Sequence, residues 1–168
     1  GLARGSKSGY LCGLQENTQA ETRSPHVTKC KSGTIELTAV RRRQVLANFD
    51  GGRLTSDAGV VLLREVDRRI GLLDAVNECL PDPRDPRRIE HEQREMLAQR
   101  IFSLALGYED LNDQQTLRDD PALQVAAGKT ADPERPLASP PTLCRLENRV
   151  HRKALVAMSK VFVEHFIQ

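Results

Sequence analysis

Apolar residues recur along this chain in different rhythms, and the rhythms divide it. Over residues 1–33 they are isolated among Gly, Ser, Thr, Lys and Gln, with no sustained period. Too little apolar surface is available there to offset the entropy of ordering, which predicts a disordered tail or an upstream extension. Next comes weak alternation through Ile35 and Leu37, then a second short run over 45–49, with Arg41, Arg42 and Arg43 between them. That spacing predicts a small β-hairpin within 34–54. Asp50-Gly51-Gly52 can adopt the positive φ angles of a sharp strand exit and closes it.

From residue 56 the period becomes helical. Thr55, Ser56 and Asp57 offer side-chain oxygens to a first turn, so a helix is expected to begin at one of them. Leu62, Val66, Ile70 and Leu73 form its apolar stripe, with Arg64, Glu65, Asp67, Arg68 and Arg69 on the other faces. Gly71 suits a left-handed helix end, and Leu72, Leu73, Val76 and Leu80 make a short second helix. Pro81, Pro83 and Pro86 then impose an extended, stiff connection. A longer helix is expected over 88–106 on the stripe Ile89, Leu97, Ile101, Leu104 and Ala105, ended by Gly107. Asp110 can cap a segment through Leu111 and Leu117, and Asp120 before Pro121 can cap an Ala-rich helix ended by Gly128.

Helices thus fill 56–128, and a polar linker with two prolines follows over 129–138. A helical pair over 139–168 completes the chain. Ser139, Pro140 and Pro141 open its first member, which carries Leu143, Leu146 and Val150 on one side. Leu155, Val156, Phe162, Val163, Phe166 and Ile167 give the second an apolar stripe, expected to stand exposed on its aromatic side.

Composition supports a mainly α fold. Aromatic residues are only 4% of the 168 and Trp is absent, so the core has to come from Leu, Val, Ile and Ala, which favours packed helices in one moderate domain. A formal charge of +2 is too small to identify a partner, so any basic surface must be local. No apolar run has the length of a membrane span or a secretory signal, from which a cytoplasmic location is expected. Cys12, Cys30, Cys79 and Cys144 lack the paired short spacing of a zinc site, and His91 among Glu90, Glu92 and Glu95 reads as a surface residue.

Two basic groups are candidates for DNA contact. Arg41, Arg42 and Arg43 can touch phosphates without reading sequence. Thr142, Arg145, Asn148, Arg149 and Arg152 fall mostly opposite Leu143, Leu146 and Val150, and Arg and Asn at this spacing can reach base edges from one helix face. Residues 121–127 and 139–150 have the order of a helix-turn-helix, although the connection between them exceeds the usual 3–4 residues of that motif. The acidic stretch Glu109, Asp110, Asp113, Asp119 and Asp120 is read as caps and solvated carboxylates rather than as a metal site.

Four ordered segments carry a family resemblance: FDGGRLTSDAG with LLREVDRRIGL from Phe49, LPDPRDPRR from Leu80, LALGYEDLNDQQTLRDDPALQVAAG from Leu104, and LASPPTLCRLENRV from Leu137. Together, over roughly 45–168, they resemble the N-terminal region of the insertion-sequence transposases of the DDE group. The resemblance implies two Asp and one Glu that bind two divalent metal ions, normally magnesium, for attack on a phosphodiester. None of the three is assignable here. In the family the first follows an apolar strand just beyond the point matching Phe166 and Ile167, so a chain truncated before its catalytic domain is expected, with no cofactor of its own.

The implied function is to hold or position the element's terminal repeats, with the catalytic domain or a second copy as a protein partner. Two other classes stay open: a free-standing helix-turn-helix regulator, and a non-catalytic helical remnant of a truncated transposase.

Overall fold

The computed structural model describes residues 33–48 and 54–167. All but the last residue of the tail expected over 1–33, with Cys12 and Cys30, and the turn at Asp50-Gly51-Gly52 lie outside the described residues. The rest is mainly α, as the composition implied: a two-stranded antiparallel sheet is followed by seven α-helices among the described residues.

β1 (Ile35–Val40) pairs with β2 (Arg43–Ala47), with Leu37 opposite Val45 and Val40 opposite Arg43. Arg43 therefore opens the second strand, and the turn is Arg41-Arg42 alone. Both turn residues have positive φ, 47° and 75°, in a two-residue connection where Asn-Gly is the usual solution. Val40 and Val45 point into the core.

α1 (Val60–Ile70) corrects the sequence reading twice. Thr55 Oγ1 does accept from the Asp57 amide at 3.0 Å, but the helix starts later, with Gly59 at its N-cap and no side-chain cap bond. Its buried face is Val60, Val61, Arg64 and Asp67, while Leu62, Val66 and Ile70 face out. Polar anchoring decides the rotation. Arg64, 8% exposed, donates to the Thr38 carbonyl at 2.9 Å and the Ala39 carbonyl at 3.3 Å, tying α1 to β1. Asp67 accepts from the Leu73 amide at 2.8 Å and so fixes the next helix as well. Such charged hydrogen bonds are worth about 1.5–3 kcal/mol each, as much as burying one Leu.

Gly71, at φ 70°, makes the expected left-handed link into α2 (Leu72–Glu78), whose Leu73 and Val76 are buried. The proline connection holds one 3-10 turn at Pro86–Arg88, capped by Asp85. α3 (Gln93–Ala105) starts five residues later than expected and is buried on more than one side, with Gln93, Glu95, Gln99 and Ser103 inside beside Met96, Leu97, Ala98 and Phe102. Leu104, assigned to the stripe, is exposed. Gly107 ends the helix at φ 95°.

Asp110 caps a 3-10 turn at Leu111–Asp113 by accepting from the Asn112 amide, and α4 (Gln114–Leu117) follows. Asp120 accepts from the Leu123 amide at 2.8 Å, with Pro121 in the first turn of α5 (Pro121–Ala126). The acidic residues read as caps thus include two that cap.

The 129–138 linker is fastened to the helices near both ends. Gln124 clasps its start, donating to the Asp132 carbonyl and accepting from the Asp132 amide. Gln99 clasps its end in the same way at Ala138, both bonds 3.0 Å. Leu137 and Ala138 are fully buried.

α6 (Pro140–Asn148) buries Leu143 and Leu146 as expected, but Ser139 bonds the Thr142 hydroxyl instead of a helix amide. α7 (Arg152–Ile167) buries Ala154 and rests on α2. Two apolar clusters form the core. One joins the hairpin, α1, α3 and α5, the other joins α2, α3, α6 and α7, and Ile101 of α3 touches both.

Candidate nucleic-acid interface

α3 is the beam on which the basic side chains are mounted, because the residues at its start receive three of them, from the hairpin turn, the connection just before it and the end of α6. Arg41 at the hairpin turn lies 3.7 Å from Glu92. Arg84 of the proline connection donates to the His91 carbonyl at 2.9 Å. Arg149, just after α6, donates to Gln93 Oε1 at 3.3 Å. Three basic residues thus each contact one of residues 91–93, and Arg84 and Arg149 also share Asp82.

The predicted face on α6 divides. Arg145, Asn148 and Arg152 are exposed, and Thr142 is half-buried beside Ser139. Arg149 belongs to a different arrangement. Its Nη1 donates to Asp82 at 2.9 Å, and the same carboxylate is gripped by Arg84 through Nε at 2.8 Å and Nη2 at 2.6 Å. The Arg84 bonds, opposed by burial and reinforced by Arg149, hold Asp82 well below the usual carboxylate range. Arg145 and Arg149 thus do not act as one exposed pair. At the hairpin Arg41 and Arg42 are exposed and Arg43 is half-buried in β2.

Asp82 and Arg84 were missed in the sequence, although a trace of them is legible there. Residues 82–87 repeat Asp-Pro-Arg, and in each copy the Asp accepts from the amide and guanidinium of the Arg two positions on. The first copy also reaches α6. The second stays exposed, with Arg87 89% accessible along its side chain.

Helix-turn-helix geometry is absent from the described pair. α5 contributes to the first apolar cluster and α6 to the second, and the clasped 129–138 segment runs between them. The two helices have no common packing face of the kind that motif needs.

His91 is buried rather than on the surface. Its Nδ1 stands 3.0 Å from Lys129 Nζ and 3.3 Å from Glu95 Oε1, while Lys129 pairs with Glu95 at 2.7 Å and donates to the Pro136 carbonyl at 3.1 Å. Burial pushes the Glu95 carboxyl up, but its His91 and Lys129 partners more than offset that and leave it below its ordinary value. A cavity of about 380 Å³ lies over this group, with Glu90, Glu92, Glu95 and Glu134 against Arg41, Lys129 and Arg135. Its mixed charge does not suit a phosphate backbone.

Nor do the carboxylates assemble for a metal pair. Among the described residues no three His, Cys, Asp or Glu side chains stand together as a metal site. Asp110 and Asp120 are caps, Asp57 accepts from the Tyr108 hydroxyl at 2.9 Å, and Asp82 is committed to arginines.

A family model described as Transposase DDE domain group 1 matches residues 37–168, most of the chain. The chain belongs to that family, and membership implies a DNA partner. No curated protein and no solved structure matches it. Among the described residues no helix is long and apolar enough to cross a membrane.

Proposed function

We propose that this helical region holds or positions terminal DNA of the mobile element for metal-dependent strand transfer, a step the described carboxylates do not fit. The observation that carries this reading is the placement of Arg84 and Arg149 together against the start of α3, with Arg145, Asn148 and Arg152 exposed on α6 and α7. A surface gathered from three stretches can contact phosphates along a duplex, while Arg145 and Asn148 on α6 remain available to base edges. Arg41 and Arg42 add a further sign. A turn that tolerates arginine at positive φ retains strain together with charge, and such strain clusters at functional sites. Magnesium is assigned to the family's catalytic carboxylates, and the protein partners are a catalytic domain or a second copy.

The test uses duplexes from the element's ends and a scrambled duplex, at two salt concentrations, after each variant is shown to be folded. Arg145→Ala and Arg152→Ala should each weaken binding. The loss is about 1–3 kcal/mol and confined to terminal DNA where the side chain reads a base. A phosphate contact instead lowers affinity for all sequences and reduces the salt slope by about one. Arg69→Ala, on the exposed side of α1, is the control. Wild-type affinity in both folded variants would remove α6 and α7 from the interface.

A further inference from the structure

Arg84 and Arg149 reach one carboxylate from two elements, one from the proline connection and one from the end of α6. Each is also braced by an uncharged oxygen, the His91 carbonyl for Arg84 and Gln93 Oε1 for Arg149. Two positive charges on one negative leave a local excess of positive charge. A guanidinium has five N–H donors. The bonds described use Nε, Nη1 and Nη2 of Arg84 and the two Nη atoms of Arg149, one N–H each, so both forks keep donors for another acceptor. Both side chains are 27% exposed, anchored yet reachable from solvent.

We propose that Arg84 and Arg149, held together by Asp82, form a preorganised clamp for a DNA phosphate. The inference rests on the DNA-holding reading above and adds to it Asp82 as organiser and a single phosphate as the shared ligand of Arg84 and Arg149. A phosphate presents several oxygens, and two guanidinium forks fixed in advance can bind it with little further loss of side-chain freedom. Asp82 acts through the two arginines and is a positioning residue. Arg87 on the connection is paired with its own Asp85, whereas Arg152, three residues after Arg149 at the start of α7, is exposed and adds positive charge next to the end of α6.

The test is binding to two duplexes of unrelated sequence across a salt series, with thermal unfolding of every variant. Arg84→Gln should weaken binding about tenfold to both duplexes alike and reduce the salt slope by about one. Asp82→Asn separates positioning from bulk charge. It makes the protein more positive, so a surface acting only through total charge binds DNA more tightly, whereas a clamp that has lost its organiser binds less tightly and is partly restored in Asp82→Glu. Arg84→Lys keeps the charge without the fork and should also bind weakly, which decides the matter if Asp82→Asn fails to fold. Wild-type affinity and slope in folded Arg84→Gln and Arg84→Lys, or tighter binding by folded Asp82→Asn, overturns the clamp and leaves the DNA-holding reading standing. A wild-type protein without salt-dependent DNA binding overturns both.

Discussion

Gln99 is fully buried in the middle of α3, at a position that an ordinary amphipathic helix fills with Leu. It is kept there by backbone, since its amide donates to the Ala138 carbonyl and accepts from the Ala138 amide. Gln99→Leu should therefore destabilise the fold by about 2–4 kcal/mol, because two buried backbone groups lose their partner. Chemical unfolding measures this, and a loss below about 1 kcal/mol would mean that water or Gln114 replaces the bond. The same logic explains where periodicity misled. Hydrophobic spacing ranks side chains by aversion to water and is blind to unpaired carbonyls elsewhere in the chain. Arg64 turned inward toward Thr38 and Ala39, and Leu62, Val66 and Ile70 turned outward as a result. His91 was misplaced for a similar reason, since its partner Lys129 lies in a segment whose folding back no local pattern announces.

At the scale of elements, the features legible in sequence were those fixed by neighbours in the chain. Gly71, Gly107 and Gly128 all adopt the left-handed conformation that ends a helix, and Asp110 and Asp120 cap as their positions imply. What was not legible was the partnership between elements. The proline connection reads as a spacer, yet Asp82 fastens it to α6. Because the Asp82 carboxyl is held below its unfolded value, its stabilising effect is fully present at neutral pH, diminishes once pH drops below the ordinary aspartate value of about 4, and is lost as pH passes down through the lowered folded value. Unfolding midpoints of wild type and Asp82→Asn should differ at pH 7 and converge in acid. An equal difference at both pH values would show that the Asp82 bonds stabilise through geometry alone.

For the whole molecule, two apolar clusters share α3, and α7 belongs to only one of them. It rests on α2 through Ala154, with Met158 and Val161 packed against the second cluster and His165 Nε2 3.1 Å from the Ile70 carbonyl. Its other sides carry Leu155, Val156, Phe162, Val163, Phe166 and Ile167, and Phe166 is 91% exposed. On α1, whose last residue Ile70 the His165 bond reaches, Leu62, Val66 and Ile70 also face out. Scattered exposed apolar residues are ordinary, but a helix with this many on its outer sides favours association. The aromatic side of α7 was anticipated from spacing, since it needs only the helical period and no knowledge of neighbours. Phe162→Glu with Phe166→Glu should shift the protein toward the monomer in sedimentation velocity. Its unfolding midpoint should stay close to wild type, because Phe162 and Phe166 are already 49% and 91% exposed and their removal opens little cavity. A collapse of the midpoint would place the rings in the core, and an unchanged sedimentation profile would show that this face does not drive association. Binding of the doubly substituted protein to DNA then separates the two surfaces. Arg84 and Arg149 lie at the start of α3 rather than on the outer sides of α7, so a DNA clamp that works within one chain should keep its affinity when association is lost, whereas a fall in affinity matching the loss of dimer would show that two copies hold the DNA together.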